Sequence, residues 1–159
     1  SGLRTLSGFK GRIHNRFGRS IQQIEQETKY LHRQGQADFV VIDYVGQLQV
    51  SDKKFTSRNA EISDITARLQ ELAINLNIPV LTLAQINRMG ASGEPQLHHL
   101  KDSGSIEQDA DVVFLLHRDE NDEEKPMWLM VAKNRHGRVG KFKIGANLAE
   151  NRFFDLDKG

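Results

Sequence analysis

Apolar positions along this chain fall into two patterns, stripes at helical spacing and short unbroken runs. Ile21, Ile24 and Leu31 recur at helical intervals, and Ser20 followed three residues later by Gln23 is a capping-box signal. A helix is therefore predicted from about Ser20 to Gln34, with Gly35 to end it. Phe39 to Asp43, FVVID, is a continuous β-rich run that finishes on a carboxylate. Beyond the polar loop Ser51 to Ser57, the residues Ile62, Ile65, Leu69, Leu72, Ala73 and Leu76 form one stripe of a second helix, closed by Pro79. Val80 to Gln85, VLTLAQ, reads as another buried strand with a polar residue at its C-terminal end. A polar stretch from Asn87 to Leu100 leads to an acidic, glycine-hinged loop, Ser103 to Asp111. Val112 to Leu116 follows, apolar throughout, in the manner of a central parallel strand buried on both faces. The charged turn Asp119 to Lys125 and Pro126 precede a strand Met127 to Ala132, and Gly137 and Gly140 interrupt a hairpin-like return through Lys141 to Ile144 that ends near Phe153.

Strands alternating with helices early, then strands in quick succession, imply an α/β domain whose mostly parallel sheet gains antiparallel strands at one edge. In such sheets ligands bind beyond the carboxyl ends of the strands, which singles out Asp43 and Gln85.

Composition narrows the class of protein. The 159 residues fit one domain, and 38% apolar with 27% charged residues is the balance of a soluble globular chain. No apolar run approaches the roughly 20 residues of a membrane-spanning helix and no signal-peptide pattern opens the chain, so a cytoplasmic protein without a membrane partner is expected. The absence of Cys excludes a disulfide framework and thiolate metal sites, and the His residues show no metal-ligand spacing. Net charge is only +1, but its distribution is uneven. Arg4, Lys10, Arg12, Arg16 and Arg19 lie in an acid-free stretch from Ser1 to Ser20, and Lys133, Arg135, Arg138, Lys141 and Lys143 lie in another. Both suit an anionic partner, or alternatively a solvated surface or linker.

An Asp after four apolar strand residues is the Walker-B arrangement, in which a carboxylate at a strand tip holds magnesium, directly or through water, beside nucleotide phosphates. Asp43 fits it, although many parallel strands end in Asp to cap a helix or form a turn. Gln85 at the tip of the next strand could hydrogen-bond a γ-phosphate or its attacking water, or simply satisfy nearby backbone. Lys133 and Arg135, two apart at a strand end, share a face and could reach one phosphate as an arginine finger does, or could be a basic edge protected from aggregation. Ser103, Gly104 and Ser105 offer backbone N–H groups for close contact with a phosphate chain, the alternative being a capped acidic turn.

Together these segments resemble a known family. VVIDYVGQLQ, AEISDITARLQELA, IPVLTLAQINR, LKDSGSIEQDADVVFLLHRDE and VAKNRHGRVGKFKI follow one another as the segments of DnaB-like bacterial replicative hexameric helicases do, over about Ala37 to Phe153. The resemblance implies a RecA-like P-loop NTPase core, here without the N-terminal part of the motor. It also implies ATP and Mg2+ as cofactors, single-stranded DNA and further copies in a homohexamer as partners, and primase and a helicase loader as further candidates. By the same resemblance Asp43 corresponds to the Walker-B aspartate, Gln85 to the phosphate-sensing glutamine, and Lys133 and Arg135 to the pair that reaches a neighbouring subunit's nucleotide. Lys101, Asp102 and Gly104 fall in the segment like the central DNA-binding loop; Lys53, Lys54 and Arg58 match another pore-facing loop by position only.

The departures are as informative. The chain contains no GxxxxGK[ST] run to cradle phosphates and no upstream strand for a catalytic glutamate. The expectation is therefore a basic linker or remnant at residues 1–19 followed by a partial motor at 20–159, the C-terminal part of an ATP-dependent replicative DNA helicase that is inactive by itself. The alternative is an ATPase-inactive RecA-like module that binds single-stranded DNA or docks onto a helicase.

Overall fold

The computed structural model of the chain describes residues 11, 19–86, 94–100, 103–118 and 126–156. The Lys101 and Asp102 positions, the turn at 119–125 and nearly all of the N-terminal basic stretch lie outside these residues. The first helix, α1, spans Ile21–Arg33. Ser20 caps it reciprocally, its Oγ accepting from the Gln23 N–H at 3.3 Å while Gln23 Oε1 accepts from the Ser20 N–H at 3.2 Å. Gly35 ends the helix with φ +64°, a conformation that costs glycine little. β1, Val40–Ile42, is shorter than the run FVVID, and the next helix, α2, spans Arg58–Leu76. Ser57 caps α2, and Asn77 terminates it in the left-handed region two residues before Pro79. The predicted stripe is the buried one: Ile62, Ile65, Leu69 and Leu72 are all less than 5% exposed.

β2, Val80–Thr82, lies parallel to β1 with Val40 opposite Val80 and Ile42 opposite Thr82. The pairing continues past the strands, since the Leu83 N–H donates to the Ile42 carbonyl and the Val45 N–H to the Leu83 carbonyl, each at 2.9 Å. Four other strands form a separate antiparallel sheet in the order β3 (Val112–Arg118), β4 (Met127–Asn134), β5 (Gly140–Asn147), β6 (Arg152–Phe154). The α/β class is as expected. Among the described residues, however, the parallel part is confined to the β1–β2 pair and the antiparallel strands form a ladder of their own, not an extension of the same sheet.

Two further expectations are corrected. Ser103–Asp109, read as a loop, is a short helix, α3. Its Gly and Ser residues are weak helix formers, but Ile106 is buried in the core, and α2 grips the far end: Thr66 Oγ1 donates to Asp109 Oδ2 at 2.5 Å and Gln70 Nε2 to the Asp109 carbonyl at 2.8 Å. Tertiary packing overrides propensity there. Val112 to Leu116 is not buried on both faces. Val113 and Leu115 are buried while Val112, Phe114 and Leu116 are 41 to 55% exposed, and β3 is the first strand of its sheet. Val41, Leu81 and Leu83 are likewise exposed. One face of each sheet thus packs on a shared core with the helices, in which Ile42 and Val45 meet Ile62, Ile65, Ile106 and Leu115. Apolar side chains on the other face meet solvent. No helix among the described residues is long and apolar enough to cross a membrane.

Candidate nucleotide and DNA site

Parallel pairing of β1 and β2 carries Asp43 and Gln85 beyond the same ends of adjacent strands. Both side chains are exposed, and neither makes a hydrogen bond or ion pair among the described residues. The Asp43–Tyr44 peptide is cis. An unengaged carboxylate at a strand tip is chemically fit to hold a hydrated Mg2+. No group of three or more His, Cys, Asp or Glu side chains that could hold a metal ion is found among the described residues.

Lys133, at the end of β4, and Arg135, just past it, are brought together on the C-terminal end of α3. Lys133 Nζ donates to the Glu107 carbonyl at 2.5 Å and the Gln108 carbonyl at 3.2 Å. Arg135 donates through Nη2 to the Gln108 carbonyl at 3.0 Å and through Nη1 to Asp111 Oδ1 at 2.7 Å. Its backbone N–H also donates to the Asp111 carbonyl at 2.8 Å. Two acids of the SGSIEQDAD run thus have partners within the domain, Asp109 with Thr66 and Asp111 with Arg135. Gly104 lies at the opposite end of α3, where an added Cβ would meet nothing within 4 Å.

Lys53, Lys54 and Arg58 line an open groove with Phe55, Ser57 and Glu61. Their situations differ. Lys53 pairs with Asp64 and sits 5.3 Å from the centroid of the Phe55 ring. Arg58 faces inward: Nη2 donates to the Gly46 and Leu48 carbonyls, each at 2.8 Å, and Nη1 to Glu61 Oε2 at 2.5 Å, tying the turn after Asp43 to α2. Glu61 also accepts from the Val50 N–H at 2.9 Å, and that bond, followed by Arg58, holds its carboxyl below the usual glutamate range against the opposing effect of burial. Lys54 is exposed and makes no hydrogen bond or ion pair among the described residues, which leaves it the most available cation of the groove. Nearby, Arg68 on α2 bonds Asp52 and Asp64 and approaches Glu25 of α1 at 3.7 Å; the bonds to Asp52 and the charges of both Asp residues raise its pKa further above an already high value.

Comparison with known proteins decides the family, because the model of the DnaB-like helicase C-terminal domain matches residues 2–155. The chain belongs to the DnaB-like helicase C-terminal domain family. The replicative DNA helicase DnaB of Treponema pallidum is 34% identical over 166 residues, covering 96% of this chain and 37% of that protein. The DnaB of Mycobacterium leprae is 36% identical over 145 residues, covering 86% and 24%. A solved DnaB-like replicative helicase, described with its interactions with primase, superposes with a TM-score of 0.85 at 28% identity, covering 97% of this chain and 39% of that one. The chain thus spans between about a quarter and two fifths of the length of these relatives.

The sequence pattern does not show the partners of Lys133 and Arg135, which are Asp111 and the carbonyls of Glu107 and Gln108. An acidic residue just before a strand, on the far side of a hairpin from a Lys-x-Arg pair, was the available signal. Carbonyl acceptors leave no trace in side-chain pattern, and reading α3 as a loop concealed that its C-terminal end offers them together.

Proposed function

We propose that this domain is the C-terminal part of an ATP-dependent replicative DNA helicase, which translocates on single-stranded DNA as a hexameric ring and unwinds duplex DNA in the cytoplasm. The observation that supports this reading is the parallel pairing of β1 and β2: Asp43 lies one residue past the end of β1 and Gln85 three residues past the same end of β2, both side chains exposed and unengaged among the described residues. Asp43 would hold Mg2+, directly or through water, and Gln85 would hydrogen-bond the terminal phosphate or orient the attacking water. When bound, ATP with Mg2+ supplies the phosphoryl transfer that drives movement. Lys133 and Arg135 would act on the nucleotide of the neighbouring subunit, where both cations could neutralise charge developing on the transferred group. Lys101, Asp102, Gly104 and the α3 end would meet the DNA backbone, with Lys54 and Lys53 as a second contact and Arg58 supporting the groove from within. Primase and a loader would dock on the assembled ring.

The experiment compares Asp43→Ala with wild type in the complete helicase carrying this domain, measuring strand displacement and ATP turnover, with ring assembly followed by gel filtration. Rings that assemble but neither hydrolyse nor unwind are expected. The 159-residue chain alone should turn over no ATP, because it has no loop to cradle phosphates. Unwinding retained in Asp43→Ala, or turnover by the chain alone that Asp43→Ala removes, would contradict the proposal.

A further inference from the structure

The reading of Lys133 and Arg135 as a trans-acting pair leaves open what fixes their direction. A finger works only if its guanidinium is held where charge develops, and displacement by about 1 Å can cost on the order of 100-fold. Resting on that reading, we propose that Asp111 is the positioning residue for Arg135, and that it works together with the C-terminal end of α3. Three contacts converge on Arg135 from this one place. The Asp111 carboxylate takes Nη1, the Gln108 carbonyl takes Nη2, and the Asp111 carbonyl takes the Arg135 backbone N–H, so backbone and side chain are pinned to the same short segment. Lys133 is drawn to the same helix end by the Glu107 and Gln108 carbonyls, where unpaired carbonyls and the helix dipole favour a cation.

The platform is itself anchored. Thr66 and Gln70 of α2 hold Asp109, and Ile106 is buried beneath α3, so the support for the pair reaches the helix that packs on the β1–β2 side of the core. Asp111 and Arg135 remain about half exposed, with side-chain exposures of 59% and 42%. A pair so open to water contributes little to folding, which makes orientation of the guanidinium its principal consequence. The bonds to Asp111 and Gln108 also leave part of the guanidinium's donor fork unused, available for phosphate oxygens.

The test uses the complete helicase carrying this domain, with ATP as the probe. Arg135→Ala is the control for the finger reading: if its turnover is normal, that reading fails, and the inference with it. If Arg135→Ala is inactive, Asp111→Ala should lower kcat by about five- to tenfold with KM within about twofold, while Asp111→Glu recovers at least half of the loss. Asp111→Ala added to Arg135→Ala should cause no further loss. Mixed rings of Asp111→Ala and Asp43→Ala subunits should exceed the turnover expected from averaging the two, because intact fingers then face intact aspartates; a folding defect would not be repaired that way. If Asp111→Ala fails to assemble, Asp111→Leu, close in size but without an acceptor for Arg135 Nη1, takes its place with the same expectations. Wild-type kcat in assembled Asp111→Ala or Asp111→Leu rings, or mixed rings no better than the average, overturns the positioning role while leaving the finger in place.

Discussion

Arg58→Ala tests whether the turn following Asp43 is held by the guanidinium beneath it. The substitution removes three charge-assisted bonds, to the carbonyls of Gly46 and Leu48 and to the Glu61 carboxylate. Shielded bonds of this kind contribute about 1.5 to 3 kcal/mol each and exposed ion pairs about 0.2 to 1. The Arg58 side chain is 37% exposed and that of Glu61 20%, so a value near the upper end of the exposed range is appropriate, about 0.7 kcal/mol per bond and about 2 kcal/mol in all. With a urea slope of about 2 kcal/mol per molar, the unfolding midpoint should fall by about 1 M, followed by far-ultraviolet circular dichroism. Arg58→Lys should recover less than half of this, since one ammonium cannot bridge two carbonyls and a carboxylate. There is a pH counterpart. The folded Glu61 carboxyl lies below its unfolded value, so its stabilisation is complete above the unfolded pKa and is lost as pH falls through the folded one. Glu61→Gln should therefore narrow the stability difference from wild type progressively on acidification through the carboxylate range. A midpoint shift under about 0.3 M for Arg58→Ala would refute the tether and leave Arg58 free to serve the groove as a ligand contact.

Two positions on α2 should differ sharply: Ile65→Ala, at a site 0% exposed, should cost about 3 kcal/mol by urea denaturation, whereas Ile74→Ala, 71% exposed, should stay within about 0.5. Equal costs would mean that the buried stripe is misassigned. In the complete helicase, Lys101→Ala and Gly104→Val should weaken single-strand binding, measured by fluorescence anisotropy on two unrelated oligonucleotides over a salt series, without loss of hexamers. Because a Cβ added at 104 would meet nothing within 4 Å, unchanged affinity would remove α3's N-terminal end from the DNA surface.

The elements readable from the sequence are those whose signals are local. Ser20 with Gln23, the stripe on α2 and the glycine after α1 each act within a few residues, and each appears where periodicity and capping put it. Asp43 and Gln85, polar residues at the ends of apolar runs, do lie past the ends of β1 and β2, which is the part of that expectation that local pattern carries. What was not legible depends on distant partners. Ser103–Asp109 has weak helix formers in its first turn and becomes helical because Thr66 and Gln70, some forty residues earlier, hold Asp109. Arg58 reads as a surface cation until its carbonyl partners across the turn are seen. The run Val112 to Leu116 carries a pattern suited to cover on both faces, and only the face holding Val113 and Leu115 has it in this chain, so hydrophobicity alone misjudged its surroundings.

If Asp43 and Arg135 act on one nucleotide from different subunits, mixing variant subunits exposes it. In the complete helicase, Asp43→Ala and Arg135→Ala rings should each be inactive, the latter by about 10³-fold or more. Mixed rings, verified by native mass spectrometry, should regain turnover at interfaces where an intact Asp43 faces an intact Arg135. Mixed rings as inactive as their parents would show that the two residues do not meet across a subunit boundary.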